Sequence, residues 1–360
     1  MRAECSLVES LDPGDLNRGL ISAPSFSLAW LDLLRWTAGK RIAKPAWLAW
    51  RQEEYDKVTT PVVDLVYEIF RSGFCATTVP PSMPLPGSRT QLAFTRPLVL
   101  GILNVTPDSF SDGGRFLAAE AAVRRAEEMR AEGADALDLG AESTRPGARA
   151  VPAKLQKERL VPVLKALRRN KAFSNIPLSV DTRSAEVARA CLGEGADLIN
   201  DISALCHDPQ MAKVCAKAKA PVILMHMQGT PRTMQRDPQY KDVVEDLDLF
   251  FRERLHAAHE AGIPPTNVLL DPGFGFGKTL DHNCELLRRL GEFKALGRPL
   301  VVGVSRKSFL GKLTGIDEPA QRVTASVAAA AIAVARGARI LRVHDVAEHV
   351  QALKVARAVT

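Results

Sequence analysis

The sequence predicts an α/β fold, a (β/α)8 TIM barrel preceded by a small, mostly helical N-terminal extension. From about Leu92, eight short apolar runs alternate with helical segments, and eight such repeats over about 265 residues fit this barrel in count and size. The runs are apolar almost without interruption, as parallel strands covered by helices are. The alternative is an open doubly wound sheet. It needs a glycine fingerprint after its first strand, and "GILNVTPDSF" has none.

Residues 1–78 stand apart from this pattern. All four tryptophans, Trp30, Trp36, Trp47 and Trp50, fall within the first 50 residues. "FSLAWLDLLRW" and the spacing of Val62, Val63, Val66, Ile69 and Phe70 each fit an amphipathic helix. These aromatics read as the packing of a small helical unit or its docking on the main domain, with a partner-binding patch as the alternative; the segment carries no chemistry and its role stays open. "VPPSMPLPGSR" then places four prolines in eleven residues, which reads as a linker over 79–91 ahead of a barrel domain at 92–360. The strands follow in order as "PLVLGILNV", "ALDLG", "IPLSVD", "DLIND", "PVILMH", "NVLLD", "PLVVGVS" and "ILRVH". Several intervening helices close on Gly133-Ala134, Gly195-Ala196 and Gly337-Ala338, the expected left-handed stop before a strand. The Ala-rich "VTASVAAAAIAVARG" is apolar nearly all round, so burial is expected on its outer face as well.

Composition narrows the function classes. A chain of 360 residues with a net charge of +7 suggests anionic ligands as readily as nucleic acid. No Lys/Arg run, aromatic RNA-binding block or zinc-finger spacing supports the nucleic-acid option. The six cysteines form no C-x-x-C pair and read as reduced thiols of a cytoplasmic protein. No apolar stretch reaches membrane-spanning length. Glu4, Glu9, Asp12 and Asp15 argue against a secretory signal or an acid-poor transit peptide.

"VLLDPGFGFGKTL" ends like a nucleotide-triphosphate loop, but the spacing excludes that reading. A phosphate loop has a Gly separated by four residues from its final Gly-Lys, and here that place is Pro272, which has no N–H to offer. The stretch is instead a strand that stops on an acid, Asp271, and then turns on glycines.

Strand ends of such a barrel converge on one mouth, where its active site lies. Asn104, Asp181, Asn200, His226, Asp271, Ser305 with Lys307, and Arg342 with His344 end or just follow strands, and "AESTRPGA" adds Glu142, Thr144 and Arg145. Any one could be a turn or cap residue. His226 reads as a hydrogen-bonded structural residue, and Asp138, inside a strand, as a paired structural acid. Together the rest describe a polar pocket of both signs, suited to a flat heterocycle with several N–H donors on its edge. Arg342 could stack on such a ring, and Arg342 with His344 could hold an anionic leaving group. Asn104 suits a magnesium ion that keeps most of its waters, and no acid-rich or His-rich cluster suggests zinc. "TPDSFSDGGRF" and "STRPGARAVP" read as lids over the mouth.

Taken jointly, "GILNVTPDSFSDGG", "LGAESTRPGA", "SVDTRS", "INDIS", "LMHMQGTP", "LDPGFGFGKT", "GVSRKSFLG" and "LRVHDV" resemble the dihydropteroate synthase family, from about residue 97 to 358. One departure is Ala141, where that family usually has a second glycine. The resemblance implies a homodimeric barrel that couples 6-hydroxymethyl-7,8-dihydropterin diphosphate to p-aminobenzoate and releases pyrophosphate with the help of Mg2+. It implies that Asp181, Asn200 and Asp271 hold the pterin edges, that Lys307 reaches its ring oxygen and nitrogen, that Met225 packs beside it and that Arg342 covers its face. Asn104, Arg342 and His344 would serve the diphosphate with the metal. Thr144, Pro146, Phe276, Lys307 and Ser308 match positions around p-aminobenzoate, and Asp108 and Phe110 lie on the first closing loop, with Arg145 on the second.

The chemistry is compatible. An electron-rich dihydropterin can lose pyrophosphate early, so the protein needs Asp181 facing a cation and positive groups facing the leaving group. An aromatic amine is already a neutral nucleophile at neutral pH, so Lys307 positions rather than forming a Schiff base. The alternatives are a pterin-dependent methyltransferase barrel, a non-catalytic pterin-binding paralogue and a Schiff-base aldolase.

Overall fold

The computed structural model describes residues 79–85, 90–105, 115–142, 147 and 150–359. The proposed helical extension over 1–78 lies outside them. Eight parallel strands close into one barrel: β3 (Leu98–Asn104), β4 (Ala136–Gly140), β5 (Leu178–Asp181), β6 (Leu198–Asp201), β7 (Val222–Met225), β8 (Val268–Asp271), β9 (Leu300–Val302) and β10 (Ala338–Val343). They neighbour one another in chain order, and β10 returns to β3. Seven of the eight runs named from the sequence contain a whole strand, and the eighth overlaps β10, which begins two residues earlier.

Helices α1 (Arg115–Glu132), α2 (Ala153–Arg169), α3 (Ala185–Gly193), α4 (Met211–Ala218), α5 (Val243–Glu260) and α6 (Leu280–Arg289) follow β3 to β8 in turn. Both α7 (Ser308–Thr314) and α8 (Val323–Ala335) follow β9, and α9 (Val346–Val359) follows β10. Local chemistry sets their ends. Asp242 accepts from the backbone of Val244 and Glu245 at the start of α5, and Thr279 and His282 form a reciprocal cap on α6. The three Gly-Ala stops take φ of +103°, +95° and +108° at Gly133, Gly195 and Gly337. No helix of the described residues is long and apolar enough to cross a membrane.

The linker reading needs correction. Ser82–Leu85 (β1) and Thr90–Ala93 (β2) pair as an antiparallel hairpin, with Met83 opposite Leu92. The prolines do not prevent this, because Pro80, Pro81 and Pro86 flank β1 and Pro84 sits in a two-stranded ribbon with a free edge. Met83, Leu85, Leu92 and Phe94 join Leu98, Leu100, Ala136, Leu198, Ile223, Leu269, Val301 and Ile340 in one buried cluster. These barrel residues are the inward positions near the strand starts, so the hairpin plugs the end opposite the mouth.

The same inward alternation changes character within two residues on four of the strands. Ala136 gives way to Asp138, Leu198 to Asn200, Leu269 to Asp271 and Ile340 to Arg342. Side chains two apart on a strand share a face, so the apolar floor and the charged layer above it face the same interior. The floor carries the fold; the layer above carries the chemistry.

The outer face of α8 is not covered by the described residues of this one chain. Ser326, Ala329, Ala330, Ala333 and Val334 are buried, but Ala328 and Ile332 remain exposed along one stripe, because the described chain packs on only one side of this helix.

Candidate active site

Strand register places the site residues. Asn104 lies beside Gly140, Gly140 beside Asp181, and Asp181 beside Asn200, a row across β3 to β6. Gly140 leaves a gap in that row. A Cβ there would come within 3.9 Å of Asp181 Oδ2 and 4.0 Å of Asn104 Oδ1, so these two oxygens flank the same space. Met225 and Asp271 are register partners at the ends of β7 and β8.

A pocket opens at this level, lined among others by Asp181, Asn200, Met225, Asp271, Phe276, Lys307 and Arg342. Seven residues predicted from the sequence thus meet in one pocket. Asn104 borders it through Asp181, and His344 lies two residues beyond Arg342. Ser308 opens α7 next to Lys307 and is exposed. Asp108, Phe110, Thr144, Arg145 and Pro146 lie outside the described residues, as does most of both expected lids.

A charged lattice organises the pocket. Arg342 donates from Nε to Asp138 at 2.6 Å and from Nη2 to Asp181 at 2.8 Å. Asp138 also accepts from Asn200 Nδ2 at 3.0 Å. An ionised carboxylate only accepts, so the amide nitrogen of Asn200 must face Asp138. Its Oδ1 is then left buried without a partner, as is Asp138 Oδ1. Unsatisfied buried acceptors are costly in a folded protein and mark where ligand N–H groups would be welcome.

Burial pushes the Asp181 carboxyl up to about 7, against the pull of Arg342 and with the help of Asp138. Burial likewise raises Asp271, although its Oδ1 accepts from Gly273 N at 2.8 Å. Lys307 is brought down to about 7 by burial and by Arg342, despite Asp271 and Asp181. Burial opposes the Arg342 cation too, but Asp138 and Asp181 outweigh it and raise that group. Lys307 Nζ stands 3.9 Å from the centre of the Phe276 ring, a cation–π contact.

The glycine-rich loop after β8 is built against the protein rather than around a phosphate. Gly273 and Gly277 have φ of +67° and +62°, and a Cβ would fall 2.0 Å from His226 O and 2.6 Å from Gln228 O, respectively. Lys278 points inward, with Nζ 2.9 Å from His226 Nδ1 and 3.1 Å from both Gly273 O and Phe276 O. Its amine is fully engaged, and burial brings it down to about 7. His226 is a buried partner of this loop, as read from the sequence.

At the ends of β9 and β10 two side-chain pairs lie one above the other. Ser305 Oγ is 3.0 Å from His344 Nδ1 and accepts from His344 N at 3.2 Å. Arg306 grips Asp345 with both ends of its guanidinium. Burial, then Arg342 and Arg306, bring His344 down to about 3. Elsewhere, Glu142 accepts from Arg183 at 3.1 Å and from Gln156 at 3.2 Å, so it anchors the stem of the second loop.

Sequence reasoning set Asp138 aside as structural, yet it is the central acceptor of the site. The signal was present: Asp138 is in phase with Gly140 and therefore inward. It gave Lys278 no role once the phosphate loop was excluded, because nothing local shows which way a lysine after glycine turns.

A closed (β/α)8 barrel with this charged mouth belongs to the pterin-binding enzymes: residues 100–344 match the family described as pterin binding enzyme, and the chain is a member of it. Within that family its relatives are dihydropteroate synthases. Those of Synechocystis and of Escherichia coli K12 are each 46% identical over 276 residues, covering 76% and 77% of this chain and 94% and 96% of theirs. The solved dihydropteroate synthase of Xanthomonas albilineans with 4-aminobenzoic acid is 48% identical, covers 77% of this chain and 98% of its own, and superposes with a TM-score of 0.72. The enzyme of the same organism in complex with 7,8-dihydropteroate is 45% identical over 78% of this chain and 98% of its own, with a TM-score of 0.69.

Proposed function

We propose that this pocket joins 6-hydroxymethyl-7,8-dihydropterin diphosphate to p-aminobenzoate, giving 7,8-dihydropteroate and pyrophosphate in folate biosynthesis. The observation that carries this reading is the orphaned buried acceptor Asn200 Oδ1, set in one pocket with Asp181, Asp271 and Lys307, and held by Asp138, which carries a second orphaned oxygen. A pterin edge presents N–H donors to the acids and amide, and carries an oxygen and a nitrogen for the Lys307 ammonium. Met225 flanks the ring and Arg342 closes the pocket beside it. Relatives with 4-aminobenzoic acid and with 7,8-dihydropteroate bound support the choice of substrates.

The residues divide the charges of the reaction. The C–O bond to the diphosphate breaks early, and the electron pair leaves with the pyrophosphate. Asp181 faces the delocalised pterin cation that remains. Arg342 and His344 face the departing anion. The amine of p-aminobenzoate, held beside Phe276, Lys307 and Ser308, forms the new C–N bond and gives up its proton to solvent; the resemblance assigns Thr144 and Pro146 to the same substrate. Loops carrying Asp108, Phe110 and Arg145 would close over both substrates.

A magnesium ion fits the donors present. Asn104 offers one neutral amide oxygen at the gap over Gly140, and the described residues hold no cluster of three or more His, Cys, Asp or Glu. That suits a cation carried mainly by substrate phosphate and water, with Asn104 as its protein ligand. When bound, it would withdraw charge from the diphosphate and make it a better leaving group. The exposed Ala328–Ile332 stripe on α8 supports a homodimer through that helix; a species that stays monomeric on sedimentation removes this part of the reading.

The test is pyrophosphate release by the purified chain. It should require the pterin diphosphate, p-aminobenzoate and magnesium together. A protein that binds the pterin and never releases pyrophosphate would leave only a binding function.

A further inference from the structure

Ser305 and His344 determine each other's protons. Ser305 is buried, and its hydroxyl oxygen already accepts the backbone N–H of His344. The hydroxyl proton still needs an acceptor, and among its contacts only His344 Nδ1 can serve. Were Nδ1 protonated instead, both ring and backbone would donate to Ser305, and the hydroxyl proton would be stranded in a buried place. The bare nitrogen is therefore Nδ1, and the ring proton sits on Nε2. Among the described residues, the charged groups acting on this buried ring are Arg342 on β10, Arg306 and Lys307 on the turn after β9, and Asp345 beside it. Burial first, and then these cations against one carboxylate itself held by Arg306, keep the ring from taking a second proton.

The turn that presents Ser305 is held independently of the histidine. Arg306 adopts φ +60°, donates its backbone N–H to Ser326 Oγ at 2.8 Å, and its carbonyl accepts from Arg322 at 3.1 Å. Both partners belong to α8 or its first flank. Ser305 is thus delivered to Nδ1 by a backbone that does not rely on His344 for its shape.

We propose that Ser305 is a positioning residue for the reaction: it fixes His344 as the neutral Nε2–H tautomer, which turns a hydrogen-bond donor toward the departing diphosphate. This deepens the proposed function and rests on His344 meeting the diphosphate. A neutral imidazole that donates through Nε2–H stabilises the leaving anion without transferring its proton. His344 is then a fixed donor rather than a general acid, and the pyrophosphate takes its proton from water after departure. With an Nδ1–H tautomer the ring would show the anion a lone pair, which repels it.

Nitrogen-15 NMR of histidine-labelled protein tests the tautomer without any turnover, with the His344 signal assigned by its loss in His344→Gln. Expected is a protonated Nε2 and a bare Nδ1 from pH 5 to pH 9. In Ser305→Ala the two tautomers should mix, and Ser305→Thr, which keeps the hydroxyl, should restore the single form. Arg306→Lys, which weakens the neighbouring clamp but spares the hydroxyl, should leave the tautomer as it was. Inorganic pyrophosphate should inhibit Ser305→Ala about tenfold less well than wild type, with KM for p-aminobenzoate unchanged. A protonated Nδ1 in wild type would overturn the proposal whether or not the variant folds. So would an unchanged tautomer in Ser305→Ala, and so would a changed tautomer with unchanged pyrophosphate inhibition. Failure of the pterin reading shows up separately, as absent pyrophosphate release with the tautomer intact.

Discussion

Arg342 and Asp138 are 204 residues apart in the chain and meet at 2.6 Å inside the barrel. Asp138 is fully buried, so its charge is worth having there only because the guanidinium and Asn200 Nδ2 share it. The pair holds Nε of Arg342, and Nη2 is left to reach Asp181. One buried carboxylate thereby sets the reach of the cation and the orientation of the amide.

Asp138→Asn should cost more than a hydrogen bond. Arg342 Nε and Asn200 Nδ2 both donate to Oδ2, so an amide oxygen could keep both bonds, but its nitrogen would then place donors where Oδ1 now stands without a partner. The buried guanidinium also loses half its counter-charge, worth about 3 kcal/mol of stability for a broken buried pair. We expect kcat to fall by about two orders of magnitude, as for loss of a positioned electrostatic group. Steady-state kinetics beside urea denaturation measure both; a variant with wild-type kcat would return Asp138 to a purely structural place.

The pH profile of kcat/KM for the pterin substrate should be a bell centred near neutrality. Asp181, lifted by burial to about 7, must be ionised to face a cation, so the rate falls as pH drops below that value. Lys307, lowered by burial to about 7, loses its charge as pH rises, which gives the alkaline limb. Asp181→Asn should flatten the acid limb at reduced rate, and Lys307→Arg the alkaline one. An acid limb that survives in Asp181→Asn would pass to Asp271, which burial also raises. His344, lowered to about 3, should contribute no limb above pH 5.

Much of this was legible because a parallel barrel makes sequence position and spatial position nearly the same thing. Once eight apolar runs are assigned, Asp181, Asn200, Asp271 and Arg342 share one barrel mouth by topology. Asp138 escaped because a carboxylate inside a strand looks structural until its partner, more than half a chain away, is seen. The hairpin at 82–93 escaped for a different reason: proline density suggests a linker, whereas only the alternation of Met83 and Leu85 betrays a strand. The direction of Lys278 depends on three carbonyl and imidazole acceptors that the glycine loop brings together only after it folds.

Lys278→Met keeps the length of that side chain and removes its donors. Gly273 O and Phe276 O would each lose a buried partner, a cost of about 1–3 kcal/mol apiece, partly offset because no amine is then buried. The loop carries Phe276, so KM for p-aminobenzoate should rise about tenfold, by loss of about 1.4 kcal/mol of binding, with pterin binding less affected. The pH dependence gives a second reading. The folded Lys278 titrates near 7 and the unfolded one near 10.5, so between these values the unfolded chain binds more protons. Wild-type stability therefore gains from this group as pH rises from 7 to 10, and its margin over Lys278→Met should widen. Denaturation midpoints at pH 7 and pH 9.5 check this; a margin that shrinks would show Lys278 to be charged throughout.

The two ends of the barrel should separate stability from catalysis. Phe94 and Met83 are buried against Leu98, Leu100 and Ile340, on the other side of the apolar floor from Asp271 and Arg342. Phe94→Ala should cost about 3–5 kcal/mol and Met83→Ala about 2–5, because the plug cannot collapse onto a floor already formed by eight strands. The charged layer rests two residues above that floor, and close packing makes the floor stiff. At a temperature where each variant remains folded, kcat and both KM values should therefore stay within about twofold of wild type, since substitutions this distant from a site leave its energetics nearly additive. Thermal denaturation read alongside turnover decides it. A drop in kcat that tracks the loss of stability would mean that the hairpin holds the floor, and through it Asp138, in register.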